Sequence, residues 1–207
     1  MNNNLTEIVF ILDRSGSMGH LVNDTIGGFN SFIEKQKQEE GDAILTTILF
    51  DDQYEILHNG VDIKKVKPLT TKEYSARGMT ALLDAIGKTI NTVGERLNNL
   101  PEVYRPSKII FVITTDGEEN SSKEFTQKQI KEMIESQTKE RDWQFLFLGA
   151  NIDAVNTAQS FGINGQFASN YTASSVGTDS LYTSLSRGIS NYRGKGIMES
   201  NWNADIK

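Results

Sequence analysis

Asp13, Ser15 and Ser17 stand at alternate positions in Asp13-Arg14-Ser15-Gly16-Ser17, directly after the apolar run of residues 8–12. Thr114-Thr115-Asp116-Gly117 follows a second apolar run, residues 109–113, and Gly78-Met79-Thr80 precedes a helical pattern that begins near Leu83. Together the three segments offer two carboxylates and several hydroxyls, with no nitrogen or sulfur ligand. An all-oxygen set with few carboxylates, completed by water, suits a hard cation, and a small octahedral ion such as Mg2+ or Mn2+ fits better than Ca2+. Taken singly, each segment is also ordinary turn and cap chemistry: Thr80 alone reads as a helix N-cap, Asp116-Gly117 alone as a turn.

Composition narrows the alternatives. The chain has 207 residues and no cysteine, which removes disulfides, thiolate zinc sites and cysteine nucleophiles together. Its two histidines, His20 and His58, leave little for a zinc site or a catalytic triad, and each is expected to be solvent-facing or hydrogen-bonded. Lys plus Arg number 21 against 27 for Asp plus Glu, so a net charge of −6 gives no footprint for nucleic acid or anionic lipid. The short basic cluster Lys64, Lys65 and Lys67 reads as a solvated loop. No run of eighteen apolar residues and no signal-like start appears, so a cytoplasmic protein with no membrane association is expected.

The site residues must be carried by strand ends and helix starts. Residues 8–12 and 109–113 read as central strands buried on both faces, and residues 144–148 as another apolar strand. Helical spacing links Val22, Ile26, Phe29 and Ile33, then Leu83, Ile86, Ile90, Val93 and Leu97, and finally Leu181, Leu185, Ile189 and Tyr192. Ser121 and Glu124 have capping-box spacing and predict the start of a helix reaching about residue 138; residues 151–153 predict the cap of a short helix ending near Gly162. Residues 43–50 and 54–58 are joined by only three residues, too few for a parallel crossover, so they predict an antiparallel hairpin. The expected architecture is α/β: a doubly wound, mostly parallel sheet with one antiparallel edge strand and helices on both faces, in three α/β/α layers. One domain over residues 1–193 and a polar tail over 194–207, in which Trp202 could dock, is the expected organisation.

In such sheets ligands sit beyond the carboxyl ends of the strands, where the three segments lie. Here the chain resembles the von Willebrand factor A domain family through its D-x-S-x-S motif at Asp13, Ser15 and Ser17, with Thr80 and Asp116 matching the two remaining positions. The resemblance runs from about residue 5 to about 193, and Leu12-Asp13-Arg14-Ser15-Gly16-Ser17-Met18 and Thr115-Asp116-Gly117-Glu118 look like the family's bacterial and phage members. It implies a Rossmann-like fold and a metal-ion-dependent adhesion site, in which serines and threonine bind the ion directly or through water and the aspartates act mostly through water. It also implies a protein partner that offers an Asp or Glu carboxylate as the final ligand. Met79 stands where many relatives have glycine and is expected to narrow the loop or to place an apolar contact beside the metal. Arg14 is expected either to meet an anionic ligand or to stand at the surface, and Glu118 and Glu119 are expected in solvent, with a reach to the site as their alternative. Asn151 and Asp153 are expected to cap a helix, with extension of the binding face as their alternative; residues 169–180 could form a ligand-facing loop or ordinary turns.

The favoured function is a non-enzymatic, metal-dependent recognition module. A Mg2+-dependent hydrolase or phosphoryl-transfer enzyme is the first alternative, since Mg2+ beside Asp13 could orient phosphate and water. Against it, no second Asp follows two residues on, and neither a GxxxxGK[ST] loop nor a GxGxxG fingerprint is present, which also ranks nucleotide binding low. A scaffold domain whose cation merely orders loops is the remaining reading.

Overall fold

The computed structural model describes residues 1–207, the side chain of Asn3 apart. Six strands form one sheet in the order β3-β2-β1-β4-β5-β6. Strands β1 (Asn2–Asp13), β2 (Asp42–Phe50), β4 (Pro106–Thr115), β5 (Gln144–Gly149) and β6 (Ala168–Asn170) run parallel, whereas β3 (Tyr54–Asp62) pairs antiparallel with β2 at one edge. The three-residue link between β2 and β3 enforces that reversal, as its length predicts. The architecture is therefore the doubly wound α/β sheet expected from the sequence.

Successive residues of a strand point to opposite faces, and β1 shows the consequence. Ile8, Phe10 and Leu12 pack under α1 (Val22–Gln38) and α5 (Ser175–Lys195), while Val9 and Ile11 pack under α2 (Leu82–Asn98), α3 (Gln127–Arg141) and α4 (Ala154–Ser160). All five side chains are fully buried, so a central strand covered on both sides reads as an unbroken apolar run. Phe10 meets Phe29 and Phe32 of α1 edge-on at 5.3 and 5.1 Å, each contact worth roughly 0.5–1.5 kcal/mol beyond its area.

The start of α3 differs from its sequence expectation. The capping box is Thr126 with Gln129, three residues apart, and Ser121 and Ser122 instead serve Glu119. The short helix α4 begins where expected, with Asp153 accepting from the Asn156 N–H at its N-cap. After α5 the chain turns back at Gly196 and places Met198 and Trp202 in the core layer of α1 and α5. Gly188 makes room for them: a Cβ there would stand 3.1 Å from the Met198 sulfur and 3.3 Å from the Trp202 Cβ. The Trp202 indole N–H donates to the Gln166 carbonyl at 3.0 Å, and the Thr172 N–H to the Lys207 carbonyl at 2.7 Å. Among the described residues, no helix is long and apolar enough to cross a membrane.

Strand order reverses between β1 and β4: the chain moves outward from β1 to β2 and β3, then returns to β4 on the other side. Parallel pairing of Leu12 with Thr114 sets the carboxyl ends of both strands level, and the loops leaving them diverge to form a crevice.

Candidate metal centre

Asp13 is the last residue of β1, and its side chain is fully buried. One carboxylate oxygen accepts from the Ser15 N–H at 2.6 Å, curling the chain into the 3-10 turn of Gly16–Leu21. The other accepts from the Thr115 hydroxyl at 2.6 Å, which ties β1 to β4 across the switch point. Within this turn the Ser15 and Ser17 hydroxyls lie 3.1 Å apart, and Ser17 donates to Asp116 Oδ1 at 2.6 Å. Thr80 completes the group. A Cβ built on Gly117 would stand 3.4 Å from the Ser17 hydroxyl and 3.5 Å from the Thr80 hydroxyl, so both gather over the same bare backbone.

All five residues expected from the sequence thus converge at the crevice. Thr80 is not the cap of α2; Ala81 holds that place, and no side chain caps it. Thr80 is instead fixed by its backbone. Its N–H donates to Asn120 Oδ1 at 2.9 Å, and its carbonyl accepts from the N–H groups of Asn120 and Ser121 at 3.1 and 3.2 Å.

The electrostatics call for a cation. Burial pushes the Asp13 carboxyl up to about 6, the hydrogen bonds from Thr115 and Ser15 pull it down, and the neighbouring Asp116 charge adds a smaller upward push. Asp116 Oδ2 is buried without a hydrogen-bond partner. A buried carboxylate oxygen left bare costs several kcal/mol by order of magnitude, and a hard cation is the natural group to satisfy it. Among the described residues no three His, Cys, Asp or Glu side chains cluster as a metal site, so the hydroxyls of Ser15, Ser17 and Thr80 would have to supply much of the shell. These residues fit a divalent cation: two carboxylates balance its charge, and the hydroxyls leave it electrophilic.

An ion-pair network with a buried centre, Arg14 and Asp51, and half-exposed outer members, Arg77 and Glu55, supports the loops. Arg14 is 2 % exposed, so it does not stand at the surface. Its Nε donates to Asp51 Oδ2 at 3.1 Å and its Nη1 to Glu55 Oε2 at 2.7 Å, while Arg77 Nε reaches the same Asp51 oxygen at 2.7 Å. Asp51 is fully buried at the β2–β3 turn, and its carbonyl accepts from Ala81 N–H at 2.9 Å. The Arg77 N–H donates to the Arg14 carbonyl at 2.8 Å and the Gly16 N–H to the Gly78 carbonyl at 3.1 Å, so the Thr80 loop is laced to the serine turn. Gly78 has φ +67°, and a Cβ there would lie 2.1 Å from Asp52 Oδ1; only glycine lets the chain turn so tightly. Arg14 and Arg77 are arms of a brace. The sequence carried no local sign of it, because the partners come from a hairpin about forty residues away.

The remaining candidates resolve simply. Met79 is 56 % exposed and projects outward, so the residue that departs from the glycine pattern makes no core contact. His20 is exposed, with Nδ1 3.0 Å from the Ser17 carbonyl. His58 lies on the edge strand β3, its imidazole pKa lowered by burial. Glu118 faces solvent as expected. Glu119 is half-buried and tied down: Oε1 accepts from the N–H groups of Ser121 and Ser122, and Oε2 from the Leu83 N–H and the Ser122 hydroxyl. Residues 169–180 hold the end of β6, the Ser174 cap and the start of α5.

Structure comparison places this arrangement among known folds. Proximal thread matrix protein 1 from the mussel byssus, in a form with a zinc-occupied MIDAS motif, superposes with a TM-score of 0.63 at 15% identity over 91% of this chain and 47% of that one. The manganese-loaded TRAP protein of Plasmodium vivax gives 0.61 at 18% identity over 84% and 70%. BatB from Bacteroides thetaiotaomicron gives 0.57 at 14% identity over 92% and 99%. The chain has the von Willebrand factor A fold. No family model and no curated protein matches the sequence, so the likeness is one of fold. The chain spans about half the length of the mussel protein, 47%, and nearly all of BatB, 99%. In this vWA fold the five oxygen-bearing residues lie at the carboxyl edge of the sheet, beside the switch point.

Proposed function

We propose that this chain is a divalent-cation-dependent protein-recognition module, not an enzyme, in which a partner's Asp or Glu carboxylate completes the shell of an ion held by Asp13, Ser15, Ser17, Thr80 and Asp116. The observation that carries the reading is the buried, unpartnered Asp116 Oδ2 beside three converging hydroxyls and a desolvated Asp13. Two structural neighbours, solved with zinc and manganese, support the general kind of site. A small, hydroxyl-rich set with two carboxylates favours Mg2+ or Mn2+ over Ca2+, which recruits more oxygen ligands. With the two carboxylates balancing the ion's charge, the cation remains attractive to an incoming anion. Binding is then conditional on metal and partner acid together. The cysteine-free composition suits a reducing compartment, and the cytoplasm is part of this reading.

Calorimetry of chelator-treated protein against Mg2+, Mn2+ and Ca2+ tests the site. Saturable binding is expected, weakened at least about tenfold, or 1.4 kcal/mol, in Asp13→Ala, Thr80→Ala and Ser15→Ala/Ser17→Ala, with far-UV circular dichroism unchanged. A folded protein that binds none of the three ions would sink the proposal. Cation-dependent turnover of phosphate esters that Asp13→Ala abolishes would replace it with the hydrolase reading.

A further inference from the structure

The sheet has two edges, and the chain treats them differently. Strand β6 is three residues long and is covered by the segment past α5: the Asn203 amide donates to the Ala168 carbonyl at 3.3 Å, and the Trp202 indole N–H to the Gln166 carbonyl beside it. Strand β3 is nine residues long and pairs with β2 alone, so its outer side has no strand against it. The outward N–H and C=O groups of such an edge are a template for another strand. Edges are commonly blunted by lysine, proline or bulges. Residues 56–61 carry no charge and no proline, and Ile56 is 44 % exposed, so bulges alone remain.

Those bulges select the kind of strand that fits. The pairing with β2 slips by one residue at Leu57 and again at residues 59–60. Each slip bends the strand and adds twist, which suits a flat extended peptide poorly. A second copy of the chain carries the same two bends. They flank His58, the midpoint of β3, so a half-turn about His58 lays bend against bend.

Charge follows the same pattern. At one end of β3, Asp51 and Glu55 are engaged by Arg14 and Arg77, while Asp52 is exposed and forms no ion pair among the described residues. At the other end Lys64 is exposed and equally unpaired, and Lys65 reaches Asp62 only at 4.0 Å. Antiparallel pairing about His58 brings Asp52 of each copy to Lys64 of the other, twice per dimer, whereas parallel pairing sets like charge beside like. Near the axis the strands meet without charge, since burial lowers the His58 pKa.

We propose that β3 is a self-association surface, on which a second copy of this chain pairs edge to edge, antiparallel, about a two-fold axis at His58. The two six-stranded sheets then form one continuous sheet. Because the paired β3 strands run oppositely, the two β1 strands do so as well, and the two carboxyl edges face opposite poles of the dimer. The pairing stands independently of the recognition reading. Its consequence rests on that reading: two cation sites at opposite poles bridge two partners.

Sedimentation equilibrium of the intact chain over a concentration series tests the pairing. The wild type is expected to form a reversible dimer. Asp52→Lys and Lys64→Glu should each weaken it at least about tenfold, because either reversal alone creates two like-charged meetings per dimer. In an equimolar mixture each changed residue faces the other, both meetings are again of opposite charge, and dimerisation should return to within about threefold of wild type. Both positions are exposed, and far-UV circular dichroism checks that each variant is folded. Hydrogen exchange of the wild type gives a reading that needs no variant: amides of residues 54–62 should gain protection as concentration rises. A wild type still monomeric at about 1 mM would overturn the proposal. So would a dimer indifferent to both reversals, a mixture as weak as its components, or protection that rises elsewhere than in β3.

Discussion

Asp13 carries the clearest electrostatic consequence. Its carboxyl is raised from an ordinary value of 3.8 to about 6, chiefly by burial. A raised acid contributes stability that is complete below pH ~4 and lost as pH rises through ~6, so the cation-free protein at neutral pH bears the cost of an ionised, desolvated carboxylate. Asp13→Asn should therefore stabilise the protein in chelator at pH 7, by roughly 1–3 kcal/mol in urea denaturation, with the gain shrinking toward pH 4. In Mg2+ the order should reverse, since the amide cannot balance the ion. Wild-type affinity for Mg2+ should fall as pH drops below about 6, where a proton competes for the carboxylate. An Asp13→Asn variant less stable than wild type in chelator would contradict this account. Of the five candidate residues, Asp13, Ser15 and Ser17 were legible in the sequence because oxygen donors at alternate positions after a strand are a local pattern, whereas Thr80 and Asp116 entered through the family resemblance. Arg14, between two of them, was not: its buried partner Asp51 lies on another hairpin, and nothing within a few residues distinguishes a buried arginine from a surface one.

Asp84 shows how one helix start organises a loop. Both carboxylate oxygens accept backbone N–H groups from Lys123, Glu124 and Phe125 at 2.9 Å, pinning the segment between β4 and α3 onto α2. Burial pushes the Asp84 pKa up, but these three donors, with a smaller contribution from Lys88, more than offset it and the value is lowered. Asp84→Ala should cost on the order of 2–4 kcal/mol by leaving those donors without their acceptor, and should loosen the Thr80–Asn120 clamp enough to weaken cation binding. A depressed acid contributes stability present above its unfolded value near 4 and lost as pH falls through its folded value. The gap between wild type and Asp84→Ala should accordingly close in denaturation curves taken below about pH 4. An unchanged gap would assign the cost to packing. The same contact explains the misplaced start of α3. Ser121-x-x-Glu124 has capping spacing, yet the N–H groups there are already satisfied by Asp84 and Glu119, so the helix begins at the next such pair, Thr126 and Gln129. Hydrophobic periodicity located α1, α2 and α5 because it reports which face meets the sheet; it does not report which element supplies a cap.

Contacts that join distant parts of the chain decide both ends of the molecule. Past α5 the composition is polar, and the burial of Met198 and Trp202 depends on the space that Gly188 leaves, a relation invisible to any local pattern. The candidate cation site draws on residues 13–17, 80 and 116, which lie at or just past the ends of the two strands flanking the switch point and in the loop between β3 and α2. Unfolding scatters these donors, so an ion held by them binds the native state and not the open chain. Linkage then gives about 2.7 kcal/mol of added stability at a cation concentration 100 times Kd. For a chain of this size that corresponds to a Tm increase of roughly 5–10 °C. Thermal unfolding in Mg2+ against chelator should show this rise in wild type, and none in Asp13→Ala or Ser15→Ala/Ser17→Ala. Because the three segments sit on both sides of the β1–β4 seam, amides at the ends of both strands should gain hydrogen-exchange protection together. Protection confined to residues 13–17 would instead mean that the ion is held by the serine turn alone, without Thr80 and Asp116.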